Sequence, residues 1–183
     1  MDDALATQLA SAMTGIAAGD YRTDSTTASA TFTVKEKFQL FTVHGRIPVV
    51  VADVAIEADG LPHGTATLDV AGIETPNARC DRDLRSRRFF DTDNTPTLGF
   101  RSVSTRRTGD GLVVDGLLTV RGEDCPLSLL TTLTPQDDGT VAVHATGTFD
   151  RMSSPLRGAP RWIIGATVDV VVEAVLHPVR AAR

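Results

Sequence analysis

Few side chains in this sequence have the types and spacing that chemistry on a substrate requires. No nucleophile motif, phosphate-binding loop or dinucleotide-binding glycine motif is present. Asp169 and Glu173 share the polar face of a predicted strand and could pair for acid–base work, and Asp81 with Asp83 offers a second pair. A solvated surface explains these carboxylates more simply. We therefore predict no enzyme, no catalytic residue, no metal site and no cofactor. The histidines are dispersed, at His44, His63, His144 and His177.

The strongest concentration of charge lies in the segment 72–91. Guanidinium groups match phosphate oxygens, so the arginines of this segment could clamp an anionic head group. Aspartates nearly cancel the arginine charge, however, which favours a self-satisfied ion network on a short helix. The charged residues are Arg79, Asp81, Arg82, Asp83, Arg85, Arg87, Arg88, Asp91 and Asp93.

Length and composition indicate one soluble globular domain. The chain has 183 residues, of which 42% are hydrophobic and 22% charged, and its net charge is −5. This acidic balance argues against nucleic-acid binding through phosphate contacts and against docking on anionic membranes. Cys80 and Cys125 lack metal-ligand spacing and are predicted to be reduced thiols, with a disulfide as the alternative.

The first residues predict a cytoplasmic protein. Met1–Asp3 is acidic where a signal peptide is basic, and the residues that follow are too polar for a signal sequence. No apolar run is long enough to span a bilayer, so membrane insertion is not expected. Apolar residues recur at helical spacing in Ala4–Ile16, which is either a short amphipathic helix or a disordered leader. The predicted organisation is a leader at 1–19, a domain at 20–177 and a tail at 178–183.

Alternation of apolar and polar residues dominates the rest of the chain and predicts β-strands. It runs, for example, through residues 28–35 and 164–176. Pro48 is expected to end one strand before 49–57 begins another, and a single helical insert is predicted over 75–95. Eight or nine sequential antiparallel strands favour an all-β barrel, because closure removes exposed sheet edges.

Small residues on the apolar strand faces raise the question of whether the barrel is hollow. A barrel of about eight strands is just wide enough to be filled by side chains or to hold one small ligand. Small inward residues favour a cavity, but glycine and alanine also mark the bends that curl a sheet. Periodicity alone leaves both alternatives open. The small residues are Ala28, Ala30, Gly45, Gly116, Ala145 and Gly147.

The order of residues along most of the chain, from Tyr21 to about Leu176, resembles the YceI-like family. The central segment carries the most specific part of the resemblance, and the second half adds a Leu-Thr-Val-Arg-Gly run. The matching positions are Tyr21, Asp24, Phe32, Val34, Gly45, Thr75, Asn77, Asp81, Leu84-Arg85-Ser86, Phe89-Phe90-Asp91, Pro96, Phe100, Ser102, Gly116, Leu118-Thr119-Val120-Arg121-Gly122, Pro126, Leu129 and Gly165.

The resemblance implies an eight-stranded antiparallel lipocalin-like barrel whose apolar lumen binds a polyisoprenoid or quinone-like lipid. Four residues are expected to form a head-group or mouth network: Asn77, Asp81, Arg85 and Arg88. The expected lumen residues are Ala30, Phe32, Val34, Phe41, Val43, Leu68, Val70, Phe89, Phe90, Phe100, Val114, Leu118, Val143, Phe149, Val168 and Val170.

The departures from the family pattern fall on polar positions. Thr27-Ala28 stands where the family usually has His-Ser, and Glu36 replaces a histidine after the first strand. Asp83 replaces the histidine of the central motif, Arg88 replaces an acid, and cysteine replaces arginine at Cys80 and Cys125. Either one ion network at the barrel mouth is rewired with compensation, or the head-group site is altered and the ligand is different or absent. The sequence leaves this choice open.

Three functions follow from these observations. The first is non-catalytic binding of an apolar lipid. The second is a structural or interaction module with a filled barrel, in which Ala4–Ile16 docks a partner or a second copy in a homodimer. The third is an enzyme that uses Asp169 with Glu173, or Asp81 with Asp83. Lipid binding is the favoured hypothesis, although a fold suggests a function without deciding it.

Overall fold

The computed structural model describes residues 15–36, 41–160 and 164–179, with Glu36 and Phe41 described by their backbone. The predicted helix at Ala4–Ile16 therefore lies outside the described residues, apart from its last two positions. The elements are β1 (Gly19–Asp24), β2 (Ala28–Glu36), β3 (Phe41–Ile56), β4 (Pro62–Asp69), α1 (Ala78–Arg85), β5 (Thr97–Thr108), β6 (Gly111–Val120), β7 (Glu123–Pro135), β8 (Val141–Asp150), a short 3-10 helix (Arg151–Ser153) and β9 (Ile164–Pro178).

The strands form one antiparallel sheet that closes on itself. The order is β1-β3-β2-β9-β8-β7-β6-β5-β4, and the pairing of β3 with β4 completes the ring. β1 and β2 share one place in the barrel, because both lie between β3 and β9 and pair with different parts of these strands. Tyr21 of β1 pairs with Val54 of β3, for example, and Phe32 of β2 pairs with Gly45 of β3. Nine strands thus fill eight positions. The prediction of an eight-stranded antiparallel barrel with a short helical insert is confirmed.

The pleat of β7 shows how alternation places the core. Successive side chains of a strand point to opposite faces of a sheet, so every second residue faces the lumen. The intervening residues of β7 are mostly exposed, and Leu129 lies between Val114 of β6 and Gly147 of β8 on the inner face. The buried positions of β7 are Cys125, Leu127, Leu129, Thr131 and Leu133.

The prediction that Pro48 ends a strand is wrong. β3 runs without interruption past this residue, and Pro48 lies opposite Ser29 of β2. The register with β4 shifts between Val49 and Val51, which leaves Val50 as the extra residue of a β-bulge. Bulges and irregular positions tolerate the missing N–H of a proline, because the ladder of hydrogen bonds is already disrupted there.

The insert between β4 and β5 is helical over a shorter stretch than predicted. α1 covers eight residues, and turns make up the segment that follows it. The Asn77 side chain caps the N-terminus by accepting hydrogen bonds from the backbone N–H groups of Arg79 and Cys80. The chain then turns back so that Phe89 and Phe90 are buried in the barrel core. α1 ends at its C-cap Ser86, whose backbone N–H donates to the carbonyls of Arg82 and Asp83.

A tight hairpin joins β6 to β7 at a position that alternation did not reveal. Arg121 and Gly122 both have positive φ, 50° and 80° respectively, and Val120 pairs directly with Glu123. Type I′ turns, whose twist matches that of the strands in two-residue hairpins, require positive φ at both central positions. Gly122 adopts this conformation without cost, whereas Arg121 is strained. Its guanidinium donates a hydrogen bond to the Phe89 carbonyl at 3.2 Å, which ties the hairpin to the insert.

The two ends of the barrel are built differently. At the end opposite α1, large apolar side chains form a separate cluster that closes the lumen, and Tyr21 donates a hydrogen bond from its hydroxyl to the Ala17 carbonyl at 2.8 Å. At the other end, α1 and the loop 151–160 cover the opening. The closing cluster consists of Tyr21, Ile56, Leu112, Leu133, Val141 and Leu176. The accessible end of the lumen is therefore the end near α1.

Candidate functional site

The barrel interior contains two adjoining cavities. The outer chamber has a volume of about 970 Å³ and lies beneath α1 and the loop 151–160. The inner chamber has a volume of about 220 Å³ and lies deeper, towards the closed end. Five side chains line both chambers and form a waist between them: Phe32, Ile47, Leu98, Leu118 and Val170.

Fourteen of the sixteen expected lumen residues line the chambers. The outer chamber takes Val34, Val43, Phe89, Phe90, Phe149 and Val168. The inner chamber takes Ala30, Leu68, Phe100, Val114 and Val143. Phe32, Leu118 and Val170 lie at the waist.

The other two expected lumen residues do not lie on the described chamber walls. Val70 is fully buried in the core cluster under the insert and is not among the described lining residues. The alternation of β4 ends at Asp69, and the Val70 N–H instead donates a hydrogen bond to the Pro96 carbonyl at 2.9 Å. The side chain of Phe41 falls outside the described residues.

The inner chamber offers a ligand almost only carbon atoms. Two of the hydroxyl groups on its lining already have partners in the protein: the Oγ1 atom of Thr23 is 2.7 Å from that of Thr27, and the Thr131 hydroxyl donates to the Leu129 carbonyl at 3.3 Å. Because burying an unpaired polar group is costly, a chamber of this kind favours hydrocarbon over polar ligands. The inner chamber can therefore hold the end of an apolar chain.

The outer chamber combines apolar walls with side chains that donate hydrogen bonds. The cations Arg79, Arg88 and Arg151 and the imidazole of His44 lie on its lining, together with one carboxylate, Asp83. The lining thus carries more positive than negative side chains, whereas the whole chain has a net charge of −5. The polar groups of the outer chamber are mainly hydrogen-bond donors. They therefore suit a ligand with carbonyl, hydroxyl or anionic oxygens, which accept hydrogen bonds.

Arg151 is the most buried of these cations, with 3% of its surface exposed. Its Nε donates to the Gly165 carbonyl at 2.9 Å and its Nη1 to the Leu156 carbonyl at 2.9 Å, while Nη2 donates to the Ile164 carbonyl. Burial lowers the pKa of the guanidinium, and the nearby Asp150 opposes this shift. Within the described residues no carboxylate forms an ion pair with Arg151, so carbonyl dipoles hold its charge at the chamber wall.

Sequence reasoning missed Arg151. The segment 151–160 has no periodicity and is predicted to be an irregular loop. An arginine in such a loop is expected in solvent, because charged residues are seldom fully buried. The backbone carbonyls that bury it belong to the loop itself and to the start of β9. No local signal connects these positions, and only the fold brings them together.

The expected mouth network fastens the insert to the barrel instead of pairing charges. Asp81 accepts hydrogen bonds at 2.7 Å from both the backbone N–H and the hydroxyl of Thr75. Arg85 donates to the carbonyls of Ala71 and Ile73, at 2.8 and 2.6 Å.

The other two members of the expected network lie on the outer chamber wall. These are Asn77, which caps α1, and Arg88, which donates to the Gly158 carbonyl at 3.4 Å. Within the described part of the chain no ion pair joins the arginines of the insert to its aspartates, contrary to the expected ion network. Backbone carbonyls and the Thr75 hydroxyl take the place of the missing partners.

Comparison with known proteins assigns the barrel. A model of the YceI-like domain matches residues 21–176. The chain belongs to the YceI-like family. The protein YceI of Escherichia coli is 35% identical over 72 residues, which cover 39% of this chain and 38% of that protein. A UPF0312 protein of Photorhabdus laumondii is 35% identical over 63 residues, 34% of this chain and 33% of that protein. The aligned stretches thus span 33% to 38% of the length of these relatives.

Two solved structures share the YceI-like fold of this chain. BcnA of Burkholderia cenocepacia superimposes with a TM-score of 0.72 at 16% identity, covering 85% of this chain and 99% of that one. A polyisoprenoid binding domain from Saccharophagus degradans, implicated in plant cell wall breakdown, superimposes with a TM-score of 0.65 at 11% identity. The superposition covers 89% of this chain and all of that domain. At these identities the likeness establishes the barrel architecture.

The departures from the YceI-like pattern at Cys80, Asp83, Arg88 and Cys125 lie in two places. Asp83, Arg88 and Cys80 line the outer chamber, and no ion pair between Asp83 and Arg88 is present in the described residues. Cys125 of β7 is buried in the core cluster, and burial raises the pKa of its thiol, with Glu123 adding to the shift. Both cysteines are thiols, as predicted. A buried thiol with a raised pKa is a structural residue and a poor nucleophile.

The candidate acid–base residues Asp169 and Glu173 lie on the outside of the YceI-like barrel. Asp169 accepts a hydrogen bond from the Thr148 hydroxyl at 3.3 Å, and Glu173 Oε1 lies 3.7 Å from Nδ1 of His144. Both carboxylates are exposed.

Within the described residues no group of three or more His, Cys, Asp or Glu side chains could hold a metal ion. The same residues include no helix with the length and apolar character needed to cross a membrane.

Proposed function

We propose that this protein is a non-catalytic carrier or binder of a long apolar ligand, a polyisoprenoid or quinone-like lipid. The observation that carries the proposal is the pair of adjoining chambers, one of them lined almost only by carbon, inside a closed barrel. Membership of the YceI-like family supports it, and so does the fold shared with a polyisoprenoid binding domain. Among the described lining residues of the outer chamber Asp83 is the one carboxylate, and Asp169 and Glu173 lie exposed on the outer wall, so the chamber lacks the paired carboxylates that acid–base catalysis would use.

The ligand would bind with its apolar end inwards. The far end of the barrel is closed by Tyr21, Leu112 and their neighbours, so the inner chamber is a dead end. Donors from His44, Arg88 and Arg151 surround the outer chamber. Carbonyl or hydroxyl oxygens at the outer end of the lipid would accept hydrogen bonds from these groups, while the chain would displace water from the waist and the inner chamber.

Buried apolar area would supply most of the affinity. Each buried CH₂ contributes about 0.8 kcal/mol, before the cost of losing translational and conformational freedom on association is subtracted. A single polar contact contributes only about 1 kcal/mol net in water. Affinity would therefore depend mainly on how much of the chain is enclosed, and the polar head would mainly orient it.

Extraction of the protein purified from its native host, followed by mass spectrometry of the organic phase, tests the proposal. We expect one isoprenoid species, near-stoichiometric with protein and absent from a mock extract of the same column fractions. An empty extract, together with no uptake of added polyprenols or quinones by the purified protein, would contradict lipid binding. Uptake of added lipid without a co-purifying species would support binding and show that the site is empty in the host.

The interaction-module hypothesis requires a barrel filled by side chains. Chambers of about 970 and 220 Å³ do not favour a filled interior. The segment Ala4–Ile16, proposed to dock a partner or a second copy, lies largely outside the described residues. Removal of residues 1–19 followed by measurement of the assembly state in solution separates the two hypotheses. An unchanged assembly state in the truncated protein would contradict the interaction-module hypothesis and leave lipid binding as the favoured function.

We also propose that the protein works in the cytoplasm. Both cysteines lie within the described residues and are thiols, which suits a reducing compartment. Fractionation of the native host, with the protein followed by antibody in the cytoplasmic, membrane and exported fractions, tests this location. Recovery in an exported fraction would overturn it without affecting the proposed ligand.

A further inference from the structure

Phe32 occupies a special place on the chamber walls. It lies on β2, directly opposite Gly45 of β3, and its ring lines both the outer and the inner chamber. The ring rests on the backbone of Gly45 so closely that a Cβ atom at position 45 would overlap it. Glycine in a strand commonly marks a site where another group approaches the backbone, and here that group is the ring at the waist. The absence of a side chain at position 45 thus decides where the Phe32 ring lies.

A second pair in the barrel follows the same rule but lies elsewhere. Phe100 of β5 rests on Gly116 of β6, where an added Cβ would also overlap the ring. Phe100 lines the inner chamber but not the outer one. The barrel therefore uses glycine twice to seat an aromatic ring against its wall, and only the ring of Phe32 lies between the two chambers.

We infer that Phe32 sets the length of the apolar chain that the barrel accepts, with Gly45 fixing the position of its ring. This inference rests on the proposed lipid-binding function. A chain that enters from the α1 end fills the outer chamber first and reaches the inner chamber only past the waist. Removing the ring widens the waist, where the smaller side chains of Ile47, Leu98, Leu118 and Val170 remain, so that longer chains gain buried area. A methyl group at position 45 points into the lumen and drives the ring across the waist, so that chains stop earlier.

The test compares chain length, not overall affinity. Dissociation constants of geraniol, farnesol, geranylgeraniol and longer linear polyprenols are measured by displacement of a fluorescent apolar probe. In each protein the constant falls by at least about tenfold per isoprene unit while the added unit is buried, and then levels off. We expect the levelling to occur at a longer chain in Phe32→Ala than in the wild type, and at a shorter chain in Gly45→Ala.

The double variant Phe32→Ala/Gly45→Ala distinguishes the ring from other effects of the methyl group. A Cβ at position 45 also comes within 3.0 Å of the Glu74 carbonyl oxygen. If the ring is responsible, the double variant behaves like Phe32→Ala. If it behaves like Gly45→Ala, displacement of Glu74 is responsible and the inference is overturned. Gly99→Ala is the matched control, because its Cβ would meet only Thr119, at an ordinary 3.9 Å.

Two further outcomes separate this inference from the proposed function. Levelling at the same chain length in wild type and Phe32→Ala, with binding intact, overturns the role of Phe32 and leaves lipid binding in place. A wild-type protein that binds no prenyl alcohol of any length contradicts the proposed function, and the inference falls with it. If Gly45→Ala does not fold, which thermal unfolding shows, the comparison of Phe32→Ala with wild type still decides the question.

Discussion

The closed end of the barrel and its mouth are held together by different forces. At the closed end, six side chains with no more than 4% of their surface exposed pack on one another around Tyr21 and Leu112. At the mouth, Asp81, Arg85 and Arg151 hold the covering segments through hydrogen bonds to backbone groups and a hydroxyl. Hydrophobic packing is non-directional and tolerates little change in volume, whereas hydrogen bonds fix direction. One end of the barrel therefore contributes mainly to stability, and the other positions polar groups around a cavity.

Truncation at the closed end should give the largest loss of stability. Leu112 is 1% exposed, and Leu112→Ala should lower the free energy of unfolding by about 3 kcal/mol, because a cavity remains in a tightly packed cluster. Urea unfolding measures this loss. Leu130→Ala is the control, since Leu130 is 40% exposed on the outer face and should change stability by about 0.5 kcal/mol or less. Equal losses in the two variants would show that the closed end is not a special packing unit.

Removal of the buried cation at the mouth should have a smaller but still large effect. Arg151→Met leaves the carbonyls of Leu156, Ile164 and Gly165 without their donor, and should lower the free energy of unfolding by about 2 kcal/mol. Arg157→Met is the matched control in the same loop, because Arg157 is exposed and makes one long hydrogen bond of 3.4 Å. Urea unfolding of both variants is the measurement. A stable Arg151→Met protein would mean that packing, not hydrogen bonding, holds the mouth.

Loss of the helix cap should cost about 1 kcal/mol and act only on the mouth. α1 has no buried residue, so its first turn depends on the hydrogen bonds that Asn77 accepts from Arg79 and Cys80. Asn77→Ala should raise amide hydrogen exchange within α1 while the strands of the closed end stay protected. Asn77→Asp, which keeps the capping oxygen, is the control. Faster exchange throughout the barrel would show that the two ends unfold as one unit.

The smallest expected effect is the pH dependence of stability at the hairpin that joins β6 to β7. A hydrogen bond from the Thr119 hydroxyl, and a second one from Arg101, hold the pKa of Asp124 below its ordinary value. Because the folded-state pKa is the lower one, the stabilisation is complete above the unfolded pKa of about 4 and is lost as the pH falls through the folded value.

Titration of the Asp124 carboxyl by NMR tests this assignment. Thr119→Val removes the larger cause and should move the pKa of Asp124 upwards, towards its ordinary value. Thr119→Ser keeps the hydroxyl and should leave the titration unchanged. An unaltered pKa in Thr119→Val would assign the shift to Arg101 alone.

Much of the barrel could be predicted because its strands report their faces directly. In β7 and β9, alternating residues mark the inner and outer walls, and most of the expected lumen residues line the chambers. The irregular positions escaped prediction. Pro48 was expected to end a strand, yet a neighbouring bulge accommodates it within β3. The turn at Arg121-Gly122 needs positive φ at both residues, which alternation does not encode.

The barrel, its inward residues and the place of the insert can be predicted from the sequence, because a period of two and a short family motif are local properties of the chain. The burial of Arg151 and the contact of Phe32 with Gly45 depend on the tertiary structure. These contacts join positions on different strands and loops, and they depend on how closely two backbones approach. Closure of the barrel brings such positions together, and the volume left between them forms the two chambers.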